Sequence, residues 1–297
     1  MSDLVIISEE ASALGGGLNG FREATQRYIL RTLAAAGCFE EMAFVGGTAL
    51  RIAHGLNRYS EDLDFAALHP ISTDRCIEIG NTAFHALKKL KLSLSARRDL
   101  RTIEMGGPID KLDYVCHLEV KLPPRFRETR ADTFNLRIDL DRNPAEGWRQ
   151  EPILVRSKSR PFALRMHDRP SLFAGKLHVL CCRADRAKGR DFFDLAWYLS
   201  QGITPNLTFL DATIQALEAK PWPASEWKKQ LLKRLEKIDF DRLRRDIEPF
   251  LIDPQDTMLI DRELLMATLR EKKKNELGPA MCRAAAPLPP GVKSAPN

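Results

Sequence analysis

The sequence has six cysteines (Cys38, Cys76, Cys116, Cys181, Cys182 and Cys282) but no Cys-x-x-Cys pair. That spacing speaks against a zinc knuckle or a disulfide framework. The thiols are expected to be reduced, in a cytoplasmic protein. No apolar run approaches the roughly 18 residues that a membrane span needs, so no membrane partner is expected. The start, MSDLVIISEE, lacks a basic stretch followed by an apolar one, and no secretory signal is expected there. No serine lies in Gly-x-Ser-x-Gly, so a hydrolase triad has no support. The six histidines include no His-x-x-x-His pair and read as surface or packing residues. No internal repeat is visible.

What is present is ordinary in bulk. The chain has 297 residues, 44% hydrophobic and 29% charged, enough for a sizeable core and one or two domains. The formal net charge is +6 and the sequence pI about 9.0. An excess of positive charge permits an anionic partner. Binding nucleic acid requires those charges on one face, which sequence alone does not reveal.

One stretch organises the rest: Phe44 to Phe65, FVGGTALRIAHGLNRYSEDLDF. Met42 to Val45 suits a short buried strand, and Gly46-Gly47 breaks it. Thr48 to His54 has good helix formers. Asp62-Leu63-Asp64-Phe65 reads as a second strand, whose side chains alternate between faces, so Asp62 and Asp64 share one. Two adjacent, half-buried carboxylates repel and need a counter-charge. Mg²⁺ is commonly held by one or two carboxylates together with substrate phosphates. A glycine lets the backbone approach a phosphate closely, and a helix start favours an anion. Gly-Gly alone usually marks a turn, and Asp-x-Asp alone usually marks a solvated edge. Together, one short helix apart and with Arg58 and Ser60 ahead of the acids, they form a unit for a metal nucleoside triphosphate. No Gly-Lys-Ser/Thr follows the glycines, unlike a Walker loop, and the segment also departs from the Rossmann pattern.

This segment resembles the first motif of the DNA polymerase β-like nucleotidyltransferases. More closely, it is similar to the AbiEii family of bacterial toxin nucleotidyltransferases, which includes the MenT toxins. That family has Gly-Gly-Ser/Thr-x-Leu followed by Arg-x-Ser-x-Asp-Leu-Asp-Phe. The matching residues here are Gly46, Gly47, Thr48, Leu50, Arg58, Ser60, Asp62, Leu63, Asp64 and Phe65. The resemblance implies an α+β nucleotidyltransferase fold, a mixed sheet flanked by helices and followed by a helical C-terminal half. It implies Mg²⁺, with Mn²⁺ as the alternative ion, and a nucleoside triphosphate substrate. It also implies an acceptor such as the 3′ end of tRNA, and a cognate antitoxin protein. The rivals are transfer to a protein hydroxyl and a non-catalytic nucleotide-binding protein of the same fold.

Along the chain, residues 1 to 20 are weakly patterned, with Gly15-Gly16-Gly17 as a break. Phe21 to Ala36 has helical spacing. Thr73 or Asp74 is placed to cap a helix running to about Leu90. Strands are expected over Leu92 to Ser95, Leu100 to Met105, Tyr114 to Leu122, Phe134 to Leu140 and Ile153 to Val155. Helices follow from Pro170 to about Arg183, Asp191 to Leu199, Leu207 to Ala219, Ser225 to Lys237, Phe240 to Leu251 and Met258 to Lys274. The expected division is a nucleotidyltransferase domain over 1–160, a helical domain completing the site over 161–277, and a disordered tail over 278–297.

Two-metal nucleotidyl transfer needs more than one acid pair, so an adjacent strand should supply a third carboxylate. In FNLRIDLD, Asp139 is preferred over Asp141, since it lies mid-strand and fits the family position; Glu119 in HLEVKL competes. Lys176 sits in the apolar run SLFAGKLHVLCC and needs an anionic partner or an escape to solvent. The stretch resembles the family's second block, a helix-borne lysine followed by Arg-Asp-x-x-Asp-Leu, here Arg190, Asp191, Asp194 and Leu195. By that resemblance Lys176 holds the triphosphate and Asp191 belongs to the active site, while Asp194 is either catalytic or a structural partner for an arginine. DIEPFL, Asp246 to Leu251, weakly resembles the family's C-terminal pattern. The expected metal ligands are Asp62, Asp64 and Asp139. The expected nucleotide contacts are Gly46, Gly47, Thr48, Arg58, Ser60 and Lys176. Asp62, Asp64, Asp139, Lys176 and Asp191 form the expected catalytic set.

Overall fold

The structure, a computed structural model, describes residues 2–104, 107–109, 111–127, 132–158, 160–182 and 188–270. The tail expected over 278–297 lies outside the described residues, as do Arg183 and Lys274. The fold is α+β. Its centre is a seven-stranded mixed sheet in the order β3-β4-β5-β2-β1-β7-β6. The strands are β1 (Met42–Val45), β2 (Leu63–Ala67), β3 (Leu94–Ile103), β4 (Lys111–Lys121), β5 (Thr133–Asp141), β6 (Gln150–Val155) and β7 (Phe162–His167). β2 lies antiparallel to β1 and parallel to β5, and β1 pairs β7 in parallel.

Two helices cover one face of the sheet. α2 (Gly17–Ala35) and α4 (Thr73–Lys89) pack on it and on each other. Phe21 of α2 meets Phe126 and Phe134 at ring distances of 4.8 and 6.2 Å. Gly80 of α4 leaves room for the Tyr114 ring of β4, which a Cβ there would strike. α3 (Gly46–His54) packs on β1, β2 and β6 and is tied to α2 by the buried Arg51–Glu23 pair, and beyond it lies the helical half: α5 (Arg169–Cys182), α6 (Gly189–Ser200), α7 (Leu207–Leu217), α8 (Trp227–Leu235), α9 (Phe240–Ile247) and α10 (Arg262–Arg270).

Four differences from the sequence expectations have physical causes. Residues 3 to 13 form a helix, α1 (Asp3–Ala13), which the weak pattern hides. Its buried side includes Ser8 and Glu10 beside Ile7 and Ala11, so it shows no clear apolar stripe. α1 seats closely on α2, since the Ala11 carbonyl approaches where a Cβ at Gly20 would lie. β3 is one strand, not two: its pairing with β4 runs unbroken, and the exposed Arg97 and Arg98 in its middle merely interrupt the apolar pattern. β7 is an additional strand, in which Phe162, Leu164 and Met166 alternate inward; it extends the sheet past the boundary expected at residue 160. The cap of α4 is Ser72, whose hydroxyl accepts from the Arg75 N–H at 3.2 Å.

The two halves are laced together around the segment between α3 and β2. The Tyr59 N–H donates to the Phe250 carbonyl at 2.8 Å, and Arg58 forms a β-bridge with Leu251. The Gly189 N–H donates to Asp246 at 2.7 Å. A Cβ at Gly189 would strike the Leu243 carbonyl, so glycine sets how closely α6 and α9 approach.

Candidate active site

β1 delivers the chain into α3 through Gly46, whose φ of +79° favours glycine. The same residue lies against the Asp64 carboxylate, and a Cβ there would overlap it. The first turn of α3, whose N–H groups have no partner within the helix, therefore abuts the acid. Gly47 lies over the Arg58 guanidinium and beside the Ser60 hydroxyl. The Thr48 hydroxyl donates to the Asp62 carbonyl, and the Gln26 amide donates to the Ser60 and Glu61 carbonyls at 3.1 and 2.9 Å. These bonds fix the approach to β2.

Asp62 stands immediately before β2 and Asp64 lies within it. On the neighbouring parallel strand Asp139 is the direct register partner of Asp64, and partners share a face. Asp141 lies opposite Ala66 instead and is engaged by Lys111 at 3.5 Å. Glu119 lies on β4 beside Ser95, exposed and away from the pair. Asp62, Asp64 and Asp139 are thus the neighbouring carboxylates, each within electrostatic reach of the others.

Their electrostatics are those of a site short of positive charge. Burial, and then the charges of Asp62 and Asp139, push the Asp64 carboxyl up to about 7. Burial raises Asp62 as well, with Glu61 and Asp139 adding to it against Arg137 and Arg190. Asp139 receives Arg137 on Oδ2, with Nε at 2.7 Å. Its Oδ1 is buried with no hydrogen-bond partner among the described residues. A buried carboxylate oxygen without a partner is costly. Hard oxygen donors from neighbouring acids, one of them unpartnered, are of the kind Mg²⁺ takes, and the glycine cradle fits a phosphate beside them.

Opposite the acids stands the second block. Lys176 Nζ lies 2.7 Å from Asp191 Oδ1 and 2.9 Å from Asp194 Oδ2. Burial works against its charge, but Asp191 and Asp194 outweigh that and raise its pKa. Burial likewise opposes the charge of Asp191, yet Lys176 and the Lys188 N–H hold its carboxyl below the ordinary value. The Lys176 charge also reaches Asp64 and works against the rise of its pKa.

Arg58 departs from its expected role in nucleotide contact. It is 2% exposed, and its Nε and Nη2 donate to the two oxygens of Asp194 at 2.7 and 2.8 Å. Nη1 donates to the Tyr59 carbonyl. Its guanidinium is a buried support beneath Gly47, with no surface free for a triphosphate. The Thr48 side chain is fully buried and also acts as a support. Gly46, Gly47, Ser60, Asp62, Asp64, Asp139, Lys176 and Asp191 all lie partly exposed around the same space.

Sequence reasoning passed over Arg137 and the pair Glu61–Arg190, which joins the two blocks at 2.8 Å. Arg137 was within reach: two residues ahead of Asp139 on one strand, it must share that face. Glu61–Arg190 spans 129 positions and has no local signal.

The model of the nucleotidyl transferase AbiEii toxin family, of type IV toxin–antitoxin systems, matches residues 28–268. Among solved structures, JHP933 from Helicobacter pylori is similar at 19% identity, over 84% of this chain and 91% of that one, with a TM-score of 0.43. A candidate nucleotidyltransferase from H. pylori is similar at 19% identity, over 84% of this chain and 94% of that one, with a TM-score of 0.40. No curated protein matches the chain.

Proposed function

This chain belongs to the AbiEii nucleotidyl transferase toxin family, and from that premise we propose that it transfers a nucleotidyl group from a nucleoside triphosphate to an RNA hydroxyl, at the 3′ end of tRNA. The observation that carries the reading is the register of Asp64 against Asp139 on adjacent parallel strands, with Asp62 at the entry to the first. The sheet-bearing part supplies these acids, and the helical part completes the site with Lys176 and Asp191.

Asp62, Asp64 and Asp139 would hold Mg²⁺ or Mn²⁺. When bound, such an ion polarises phosphoryl oxygens and offsets charge on the attacking and leaving oxygens. The chain's own groups do the rest. Gly46 and Gly47 leave the backbone bare at the start of α3, so its N–H groups meet the β- and γ-phosphates. Ser60 borders that cradle. Lys176, held in place by Asp191, offsets charge on the departing pyrophosphate. Asp139, with one oxygen unpartnered, is placed to draw the proton from the acceptor hydroxyl as it attacks the α-phosphorus. Arg58 and Thr48 keep the cradle and the acids in register. A cognate antitoxin restrains the activity.

The test is incubation of the purified protein with total RNA, total protein and each labelled triphosphate in turn, with Mg²⁺. Label should enter tRNA-sized RNA and be absent with Asp62→Asn. Label confined to protein bands for all four nucleotides would replace the RNA acceptor with a protein hydroxyl.

A further inference from the structure

Beyond β5 the face of the sheet that bears the acids continues across β4 and β3 to the edge. Register sets Arg97 of β3 opposite His117 of β4, and His117 opposite Arg137 of β5. Cross-strand partners lie on one face, and Arg137 shares its face with Asp139. A row Arg97–His117–Arg137 therefore runs from the sheet edge to the carboxylates. The neighbouring row is Asp99–Val115–Asp139–Asp64.

The charge along this row is not balanced. Like charges directly opposite one another on a sheet are destabilising, yet two arginines flank one histidine here. Arg97, Arg101 and Arg137 have side chains 71%, 39% and 42% exposed. Asp99 pairs with both Arg97 and Arg101, at 3.3 and 3.2 Å, and Asp113 lies opposite Arg101 in the register. Arg137 pairs with Asp139, a carboxylate that Mg²⁺ would claim, and its charge also reaches Asp62 and Asp64. Of the other acids on this face, Asp113 and Asp141 are engaged by Lys111, while Glu119 bonds to Ser95 and lies beyond His117, on the side away from the carboxylate site. Arg101 Nη2 lies 3.3 Å from His117 Nε2; a guanidinium has no acceptor, so the ring nitrogen accepts and the imidazole is neutral. Burial, then Arg97, Arg101 and Arg137, depress the His117 pKa, which fits a positive field at the centre of the row.

We propose that this row, with Arg101 beside its central His117, is the track for the acceptor strand. The phosphates of a single RNA strand lie along Arg97, Arg101 and Arg137, and the end bearing the accepting hydroxyl enters at Asp139. Strands are spaced about 4.8 Å apart, so Arg97 and Arg137 stand about 10 Å apart, a reach for the last nucleotides of one strand. This rests on the RNA-acceptor reading above and assigns which surface aligns that acceptor.

The experiment measures transfer to RNA, with its KM for RNA and for triphosphate, over a series of salt concentrations. Arg97→Ala/Arg101→Ala should raise the KM for RNA about tenfold or more and leave the KM for triphosphate unchanged. The slope of log affinity for RNA against log salt should fall by about 1.4, roughly 0.7 per lost phosphate contact on a single strand. Arg97→Lys/Arg101→Lys should keep the slope, which separates lost charge from misfolding. Arg160→Ala/Arg165→Ala removes the same charge at the far end of the sheet and should behave as wild type. If the first variant labels RNA with wild-type KM and slope, or if the far-end variant shows the same loss, the track is overturned and the acceptor reading stands. If the wild-type protein labels protein and no RNA, the acceptor reading falls, and the track with it.

Discussion

Asp64 is the residue whose chemistry is most exposed to test. Its carboxyl is pushed up to about 7 by burial and by its two acidic neighbours. Between the ordinary carboxylate range and that value the unfolded chain has lost this proton while the folded one keeps it. Stability of the metal-free protein should therefore be fullest at the acid end of that window and fall as pH rises through about 7. A tenfold difference in proton affinity between folded and unfolded chains is worth about 1.4 kcal/mol, so the loss is on the order of a few kcal/mol. Asp64→Asn should flatten the dependence, as seen in urea melts at pH 5 and pH 8. Mg²⁺ should raise the wild-type melting temperature at pH 8 and do little at pH 5, since binding must displace the proton. No difference between the two pH values would remove the basis for a charge-starved site. Asp194 and Lys176 give a second contrast. Asp194→Ala strands the buried Arg58 guanidinium and should cost about 3–5 kcal/mol. Lys176→Met leaves Asp194 paired with Arg58 and Asp191 bonded to the Lys188 N–H. It should cost only about 1–2 kcal/mol while weakening triphosphate binding, read by calorimetric titration. Equal losses of stability would make Lys176 a packing residue.

Among elements, the strand–glycine–helix unit from β1 to α3 is the one that sets the site. Gly46→Ala meets both a positive φ and the Asp64 carboxylate, so it should reduce transfer at least about a hundredfold and impair Mg²⁺ binding. Gly55→Ala is the comparison: its φ is also positive, at +70°, but a Cβ there meets nothing within 4 Å. It should lose stability, seen as a lower melting temperature, and keep transfer. Equal activity in the two would mean that the close approach at Gly46 does not matter. This unit is legible in the sequence because it is local: strand, glycines, helix and Asp-x-Asp lie within a single stretch. β7 carries a legible signal too, its inward alternation, although the expected sheet stops short of it. Other features have no such signal. α1 buries Ser8 and Glu10, the latter bonded to Ser157 at 2.9 Å, and such burial leaves no apolar period. The continuity of β3 is masked because Arg97 and Arg98, adjacent and both exposed, interrupt the alternation of its two ends. The roles of Arg58 and Asp194 depend on a contact across 136 positions, and an arginine just ahead of two acids reads equally as a phosphate ligand.

For the whole molecule, the lacing at Tyr59–Phe250, Arg58–Leu251 and Gly189–Asp246 means that no contiguous part of the chain holds a finished site. The acids come from residues 62 to 139, Lys176 and Asp191 from α5 and α6, and the clasp on the approach to β2 from the stretch after α9. A ribosome releases these pieces in order, and the clasp comes late. A nascent chain should therefore remain harmless to the cell translating it until residues near 251 have left the exit tunnel. A chain stopped at Asp239 is expected to transfer no nucleotide and to spare growth without any antitoxin; growth arrest by that fragment would show that the earlier segments suffice. On this view the order of synthesis keeps each molecule inert until its own chain is nearly complete.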